Sequence, residues 1–153
     1  MRFRLRRAAL SDMDAVARLH RHVRKTCLPY LPDLHSPEED LAFFSQKVFP
    51  RSTIWLGETE LGETEDELAG FAAIRGDWLD HLYVAPTWHG LGLGSTLLNA
   101  AKDGRSRLDL WVFQRNEQAR RFYERRGFRL MELTDGSANE ERMPDVRYRW
   151  TGD

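Results

Sequence analysis

His89-Gly90-Leu91-Gly92-Leu93-Gly94-Ser95-Thr96-Leu97-Leu98 is the stretch on which the reading of this chain turns. It follows an apolar segment from about Trp78 to Ala85 that reads as a strand, and it opens a helix from about Gly94 to Asp103. Glycines remove side-chain bulk, so several backbone N–H groups can converge on one concavity. The helix N-terminus adds partial positive charge there. Spacing alone leaves two readings open: a cradle for a phosphate or pyrophosphate, and a tight strand-to-helix turn with no ligand. Gly90, Gly92 and Gly94 do not make G-x-G-x-x-G, and no Gly-Lys-Ser/Thr follows, so neither the dinucleotide fingerprint nor the nucleotide P-loop is present. The turn also comes after the fourth predicted strand rather than the first, where a dinucleotide site would sit.

Working outward, residues 2–7 alternate Phe3 and Leu5 with arginines and predict a first strand. Ser11 with Asp14 predicts a helix start, and Met13, Val16, Leu19 and Val23 give that helix one apolar face. Pro29 and Pro32 break it. Ser36, Pro37 and Glu39 predict a capped second helix with a buried stripe of Leu41, Phe44 and Val48, ended by Pro50. Thr53–Leu56 and Leu68–Ile74 read as strands joined by an acidic turn over Gly57–Glu65. Leu108–Phe113 is a fifth strand. Asn116 caps a helix that ends at Gly127. Phe128–Leu133 and Val146–Trp150 complete the set, with a loop at 135–139. Strands and helices alternate in the second half and hairpins dominate the middle, which predicts an α/β fold with a mixed sheet and helices on both faces.

With 153 residues and 41% hydrophobic content the chain is expected to be one domain, 1–153, with a real core. The net charge of −1 argues against a nucleic-acid binder. No apolar run reaches the ~20 residues of a membrane helix, and the basic Met1–Arg7 is not followed by one, so no membrane partner and a cytoplasmic location are expected. Cys27 is the one cysteine, which excludes an internal disulfide. With His20 and His22 it lacks a ligand-pair spacing, so no metal is expected.

Val84-Ala85-Pro86, the His89–Gly94 turn and Leu97-Leu98 resemble the acetyl-CoA loop of the GNAT-superfamily N-acetyltransferases. Asn116-x-x-Ala119-x-x-Phe122-Tyr123-x-x-x-Gly127-Phe128 is similar to that family's downstream helix. The resemblance implies a single-domain GNAT-like fold: a mixed, mostly antiparallel central sheet of about seven strands flanked by about four helices. His89 stands where the family usually carries Gln or Arg, so a bidentate guanidinium grip on phosphate is absent there.

The resemblance implies acetyl-CoA as cosubstrate and direct transfer of acetyl to a primary amine of a small molecule or peptide. It places cofactor contacts at Leu82, Tyr83, Val84, His89, Gly90, Leu91, Gly92, Leu93, Gly94, Ser95, Thr96, Asn116 and Phe122. Tyr123 matches the position of the family's thiolate-protonating tyrosine. A neutral phenol with a pKa of about 10 suits that task. A base is also needed, and Asp80 is the expected one, directly or through water, with Asp77 in reserve. Asp80 and His81 are neighbours, and alternation lets only one of them face the acceptor unless the strand bulges. Tyr30, Asp77, Trp78 and Trp111 are expected to line the acceptor pocket, since aromatics with carboxylates suit a cationic amine. Of the arginines around the last helix (Arg115, Arg120, Arg121, Arg125, Arg126, Arg129), one or two are expected to meet the adenosine phosphate. Dimerisation is common in the family, but no residue pattern here marks a homodimer interface. The alternative function is a non-catalytic acyl-CoA-binding module that senses or regulates.

Overall fold

Residues Leu68–Arg75 form the centre of the molecule, because six consecutive residues there are buried and both faces of the strand must therefore be covered. The computed structural model describes residues 2–60 and 67–152. Among these residues seven strands form one sheet: β1 (Phe3–Arg7), β2 (Thr53–Thr59), β3 (Leu68–Arg75), β4 (Trp78–Val84), β5 (Arg107–Phe113), β6 (Arg129–Leu133) and β7 (Asp145–Thr151). Their order is β1-β2-β3-β4-β5-β7-β6. Every pairing is antiparallel except β4 with β5. This is the mixed sheet that the residue pattern predicts, mostly antiparallel and seven-stranded as the family resemblance implies.

Alternation along β3 separates two cores. Phe71 and Ala73 pack with Met13, Val16, Ala17, Phe44 and Val48 on one face. Ala72 and Ile74 pack with Leu93, Leu97, Leu98 and Tyr123 on the other. Helix α1 (Met13–Cys27) and helix α2 (Pro37–Phe43) cover the first face. Helix α3 (Leu93–Lys102) and helix α4 (Glu117–Arg125) cover the second.

Local chemistry accounts for most helix ends. Ser36 Oγ accepts from the Glu39 N–H at 3.1 Å, while the Glu39 carboxylate accepts from the Ser36 N–H at 3.0 Å. Asn116 Oδ1 accepts from the Ala119 N–H, and Gly127 turns left-handed at φ +87° after α4. The first helix starts differently from expectation. The Asp12 carboxylate, not Ser11, closes the turn before α1: it accepts from the Ala9 N–H at 2.7 Å and also holds the Arg6 guanidinium, while α1 itself has no side-chain cap. A short 3₁₀ turn, Leu10–Asp12, precedes α1 as a result.

The second helix is also corrected. Phe44 and Val48 are buried, but Leu41 stays 37% exposed. A π-turn at Phe44–Val48 and a last turn at Phe49–Arg51 carry the helix past Pro50. Proline at the second position of that last turn withholds an N–H and does not end it; extended backbone begins at Ser52. The expected turn at Gly57–Glu65 is a strand as far as Thr59, and its remainder from residue 61 lies outside the described residues.

Candidate active site

The single parallel pairing opens a groove in the sheet. β4 and β5 are in register at Trp78↔Asp109, with the Asp109 N–H on the Asp77 carbonyl at 2.8 Å. Beyond that point β4 pairs only with β3, through Leu82↔Ala72, Tyr83↔Phe71 and Val84↔Gly70. The Ala85 N–H donates to Ala69 on the β3 side at 2.7 Å. N–H directions alternate along a strand, so the N–H groups of Leu82 and Val84 face away from β3, into the split.

A groove of about 570 Å³ occupies this split. Its walls are β4 at Leu82, Tyr83 and Val84, the glycine turn, the start of α3, and α4 at Asn116, Phe122 and Tyr123. Gly90 and Gly92 take φ +77° and +86°, and a Cβ at either would meet no heavy atom within 4 Å. These glycines serve the left-handed backbone and leave open space in front of it. No side chain caps α3, so its first N–H groups lack an intrahelical partner and face this opening.

The other expected contacts divide. Gly94 lets the two helices close, since a Cβ there would sit 3.3 Å from the Phe122 ring. Leu93 is 1% exposed, so its side chain belongs to the core. Leu91 is 49% exposed and is not among the lining residues. Thr96 Oγ1 donates back to the Gly92 carbonyl at 3.0 Å, which engages its hydroxyl within the helix. His89 donates from Nε2 to the Val84 carbonyl at 2.7 Å, because a carbonyl can only accept. Its ring braces the turn against the end of β4.

Arg126 is the cation that motif reading did not single out. Its Nε and Nη2 donate to Ser95 Oγ at 3.0 and 2.7 Å, and its guanidinium lies 3.8 Å from the Phe122 ring centroid. That places a fixed positive charge beside the N-terminus of α3. The signal in the sequence was the arginine run after Tyr123, which only the packing resolves into one residue. Tyr123 is 7% exposed, and burial pushes its phenol well above the usual range, with Tyr83 adding to the effect. It is held neutral and able to donate.

A second groove of about 630 Å³ lies on the other side of Leu28, which lines both. It is built from α1, α2, the loop after Leu28 and the β6–β7 loop at Glu140 and Glu141. Tyr30, Asp77, Trp78 and Trp111, the side chains expected to line an acceptor pocket, do not line this groove. Tyr30 lies 4.1 Å under the Arg115 guanidinium. Asp77 pairs with Arg107 at 3.6 Å. Trp78 sits where β4 meets β5, and Trp111 is 45% exposed on β5. Asp80 forms a two-pronged ion pair with Arg75 at 2.9 and 3.2 Å. A bulge explains it: Ala73 pairs with His81 but Ile74 with Leu79, so Asp80 is the extra residue. The bulge turns His81, not Asp80, into the second groove. Among the described residues no three His, Cys, Asp or Glu side chains come together as a metal-holding set.

A family model, the acetyltransferase (GNAT) family, matches residues 19–128. The chain belongs to the GNAT acetyltransferase family. Its relatives include the peptidyl-lysine N-acetyltransferase YjaB of Escherichia coli, 30% identical over 92 residues. The YjaB of Salmonella typhimurium is 31% identical over 81 residues. These matches cover 60% and 53% of this chain, and the chain spans only 58% and 53% of the two relatives' lengths. The GNAT fold is shared along the whole chain. The solution structure of apo YjaB from E. coli superposes with a TM-score of 0.77 at 22% identity, covering 100% of both chains. The PaiA N-acetyltransferase of Thermoplasma acidophilum, solved with coenzyme A, gives 0.77 at 20% identity over 99% of this chain and 100% of that one. In this GNAT chain the open cradle at Gly90 and Gly92 and the uncapped start of α3 fit a pyrophosphate-bearing cosubstrate such as acetyl-CoA.

Proposed function

We propose that the protein is an N-acetyltransferase that moves the acetyl group of acetyl-CoA directly onto a primary amine of a peptide or small molecule. The observation that carries this reading is the meeting of two grooves at Leu28, one built on the glycine turn with Tyr123, the other open toward α1 and α2. Transfer without an acyl-enzyme needs both reactants side by side, and two adjoining grooves supply that.

The α3 N-terminus, the glycine amides and Arg126 would hold the pyrophosphate. The outward N–H groups of Leu82 and Val84 are suited to the pantetheine amides and to the thioester oxygen as it gains charge. Tyr123, kept protonated by burial, would give its proton to the departing sulfur. The name of the YjaB relatives supports a peptide lysine as acceptor. That of a structural neighbour, a spermidine N-acetyltransferase chimera, keeps small amines in view. A binding-only sensor would require neither Tyr123 in the first groove nor the second groove.

The test is thiol release from acetyl-CoA with a free-lysine peptide, a free α-amine peptide and spermidine. Amine-dependent release supports the reading. Tight acetyl-CoA binding without release from any of them favours the sensor.

A further inference from the structure

His20 on α1 and His81 on β4 line the second groove side by side, with ring centroids 5.6 Å apart and planes nearly perpendicular. Nδ1 of each ring is buried without a hydrogen-bond partner. Such orphaned buried polar atoms are rare and call for a reason. The rings are set among Phe44, Phe71 and Tyr83, and Tyr83 in turn lines the first groove. The pair therefore lies against the wall between the two reactants.

The other titratable groups around the second groove are engaged. Arg21 holds Asp33 and Asp40, Lys25 also holds Asp33, Arg24 holds Glu141, and His35 holds Glu140. Asp80, the neighbour of His81 on β4, is held by Arg75. Among the described groove residues, the two imidazoles are the unengaged proton acceptors. Burial lowers His81 to about 4, against a smaller upward pull from Asp80, and lowers His20 to about 2, with His81 pushing His20 down further; the nearby Arg24 charge lowers both, so both are neutral at physiological pH. Two imidazoles this close take one proton between them.

We propose that His81 is the catalytic proton acceptor for the amine bound in the second groove, with His20 as a positioning residue that fixes its ring. This rests on the N-acetyltransferase reading. The amine lone pair forms the N–C bond, and the carbonyl pair moves onto oxygen. The nitrogen, made acidic by that bond, gives its proton to His81. The carbonyl then re-forms, the C–S bond breaks with its pair on sulfur, and sulfur takes the Tyr123 proton. His81 returns its proton to solvent and Tyr123 regains one, so no further reactant is needed. A base this weak takes a proton from the attacking nitrogen, not from a free ammonium, so the amine must enter neutral.

The experiment compares wild type and His81→Gln, using whichever of a free-lysine peptide, a free α-amine peptide or spermidine gives the fastest thiol release. The expected result is a fall in kcat of about 100-fold. The acetyl-CoA Kd stays within about threefold, and added imidazole restores part of the rate. An unchanged kcat with wild-type release intact overturns the assignment and leaves the N-acetyltransferase reading standing. Absence of release from wild type with every probe overturns both. If His81→Gln loses acetyl-CoA binding, wild type decides: the acid limb of kcat must share its midpoint with the His81 NMR titration, and separate midpoints overturn the assignment.

Discussion

His89 donates from Nε2 to the carbonyl of Val84, 2.7 Å away, and so ties the first residue of the glycine turn to the last residue of β4. The imidazole acts on the shape of the groove rather than as a charge aimed at phosphate. His89→Ala should weaken acetyl-CoA binding by about threefold to tenfold, the worth of one such hydrogen bond. His89→Gln, whose amide can donate to the same carbonyl, should stay close to wild type. Calorimetric titration checks both, and equal affinities for His89→Ala and wild type would show that this hydrogen bond does not shape the groove.

Gly92 takes φ +86° at the N-terminus of α3. Gly92→Ala should cost about 1–2 kcal/mol of stability from the left-handed backbone alone. The new methyl would also project into the open cradle, so acetyl-CoA affinity should fall further than the loss of stability explains. Urea unfolding and calorimetry on the same protein separate the two effects.

Tyr123→Phe should leave the acetyl-CoA Kd within about threefold and lower kcat by about tenfold or more, because the phenol proton is needed only as sulfur departs. Steady-state thiol release measures the split. A raised KM with an unchanged kcat would assign Tyr123 to packing beside Phe122 and Phe128 instead.

His35 and Glu140 tie the loop before α2 to the β6–β7 loop across the second groove. The hydrogen bond to Glu140 raises the His35 pKa, with Glu39 adding to it. A raised folded value means that the contribution is fully present below the ordinary imidazole range, about pH 6.5, and is lost as pH rises through the folded value. Wild type should therefore exceed His35→Asn in urea midpoint at about pH 6, and the gap should close by about pH 9. A gap that is the same at both values would exclude the latch.

What could be read from sequence divides along physical lines. The glycine turn, the Ser36–Glu39 box and the Asn116 cap are local, since each is set by residues within a few positions, and they fold as read. The pocket wall is not local. Alternation lets only one of Asp80 and His81 face the acceptor, and the expectation is Asp80; the bulge opposite Ala73 and Ile74, which no residue type marks, puts His81 on the second groove and Asp80 on Arg75. Tyr30, Trp78 and Trp111 were expected there by residue type, and sheet pairing and the Arg115 contact place them outside it. His20 carried no signal toward the site. Its relevance comes from α1 lying against β4, a long-range fact that no spacing in the chain records. Arg126 was one of six arginines, and only its hydrogen bonds to Ser95 set it apart.

The split between β4 and β5, closed by the glycine turn, is the proposed acetyl-CoA site. The most direct measurement is a backbone amide NMR titration of the protein with acetyl-CoA. The largest shifts should fall on Leu82, Val84, the amides of residues 90–96 and Asn116, while β1 and β6 stay unmoved. Saturating shifts elsewhere, with those amides unchanged, would contradict it.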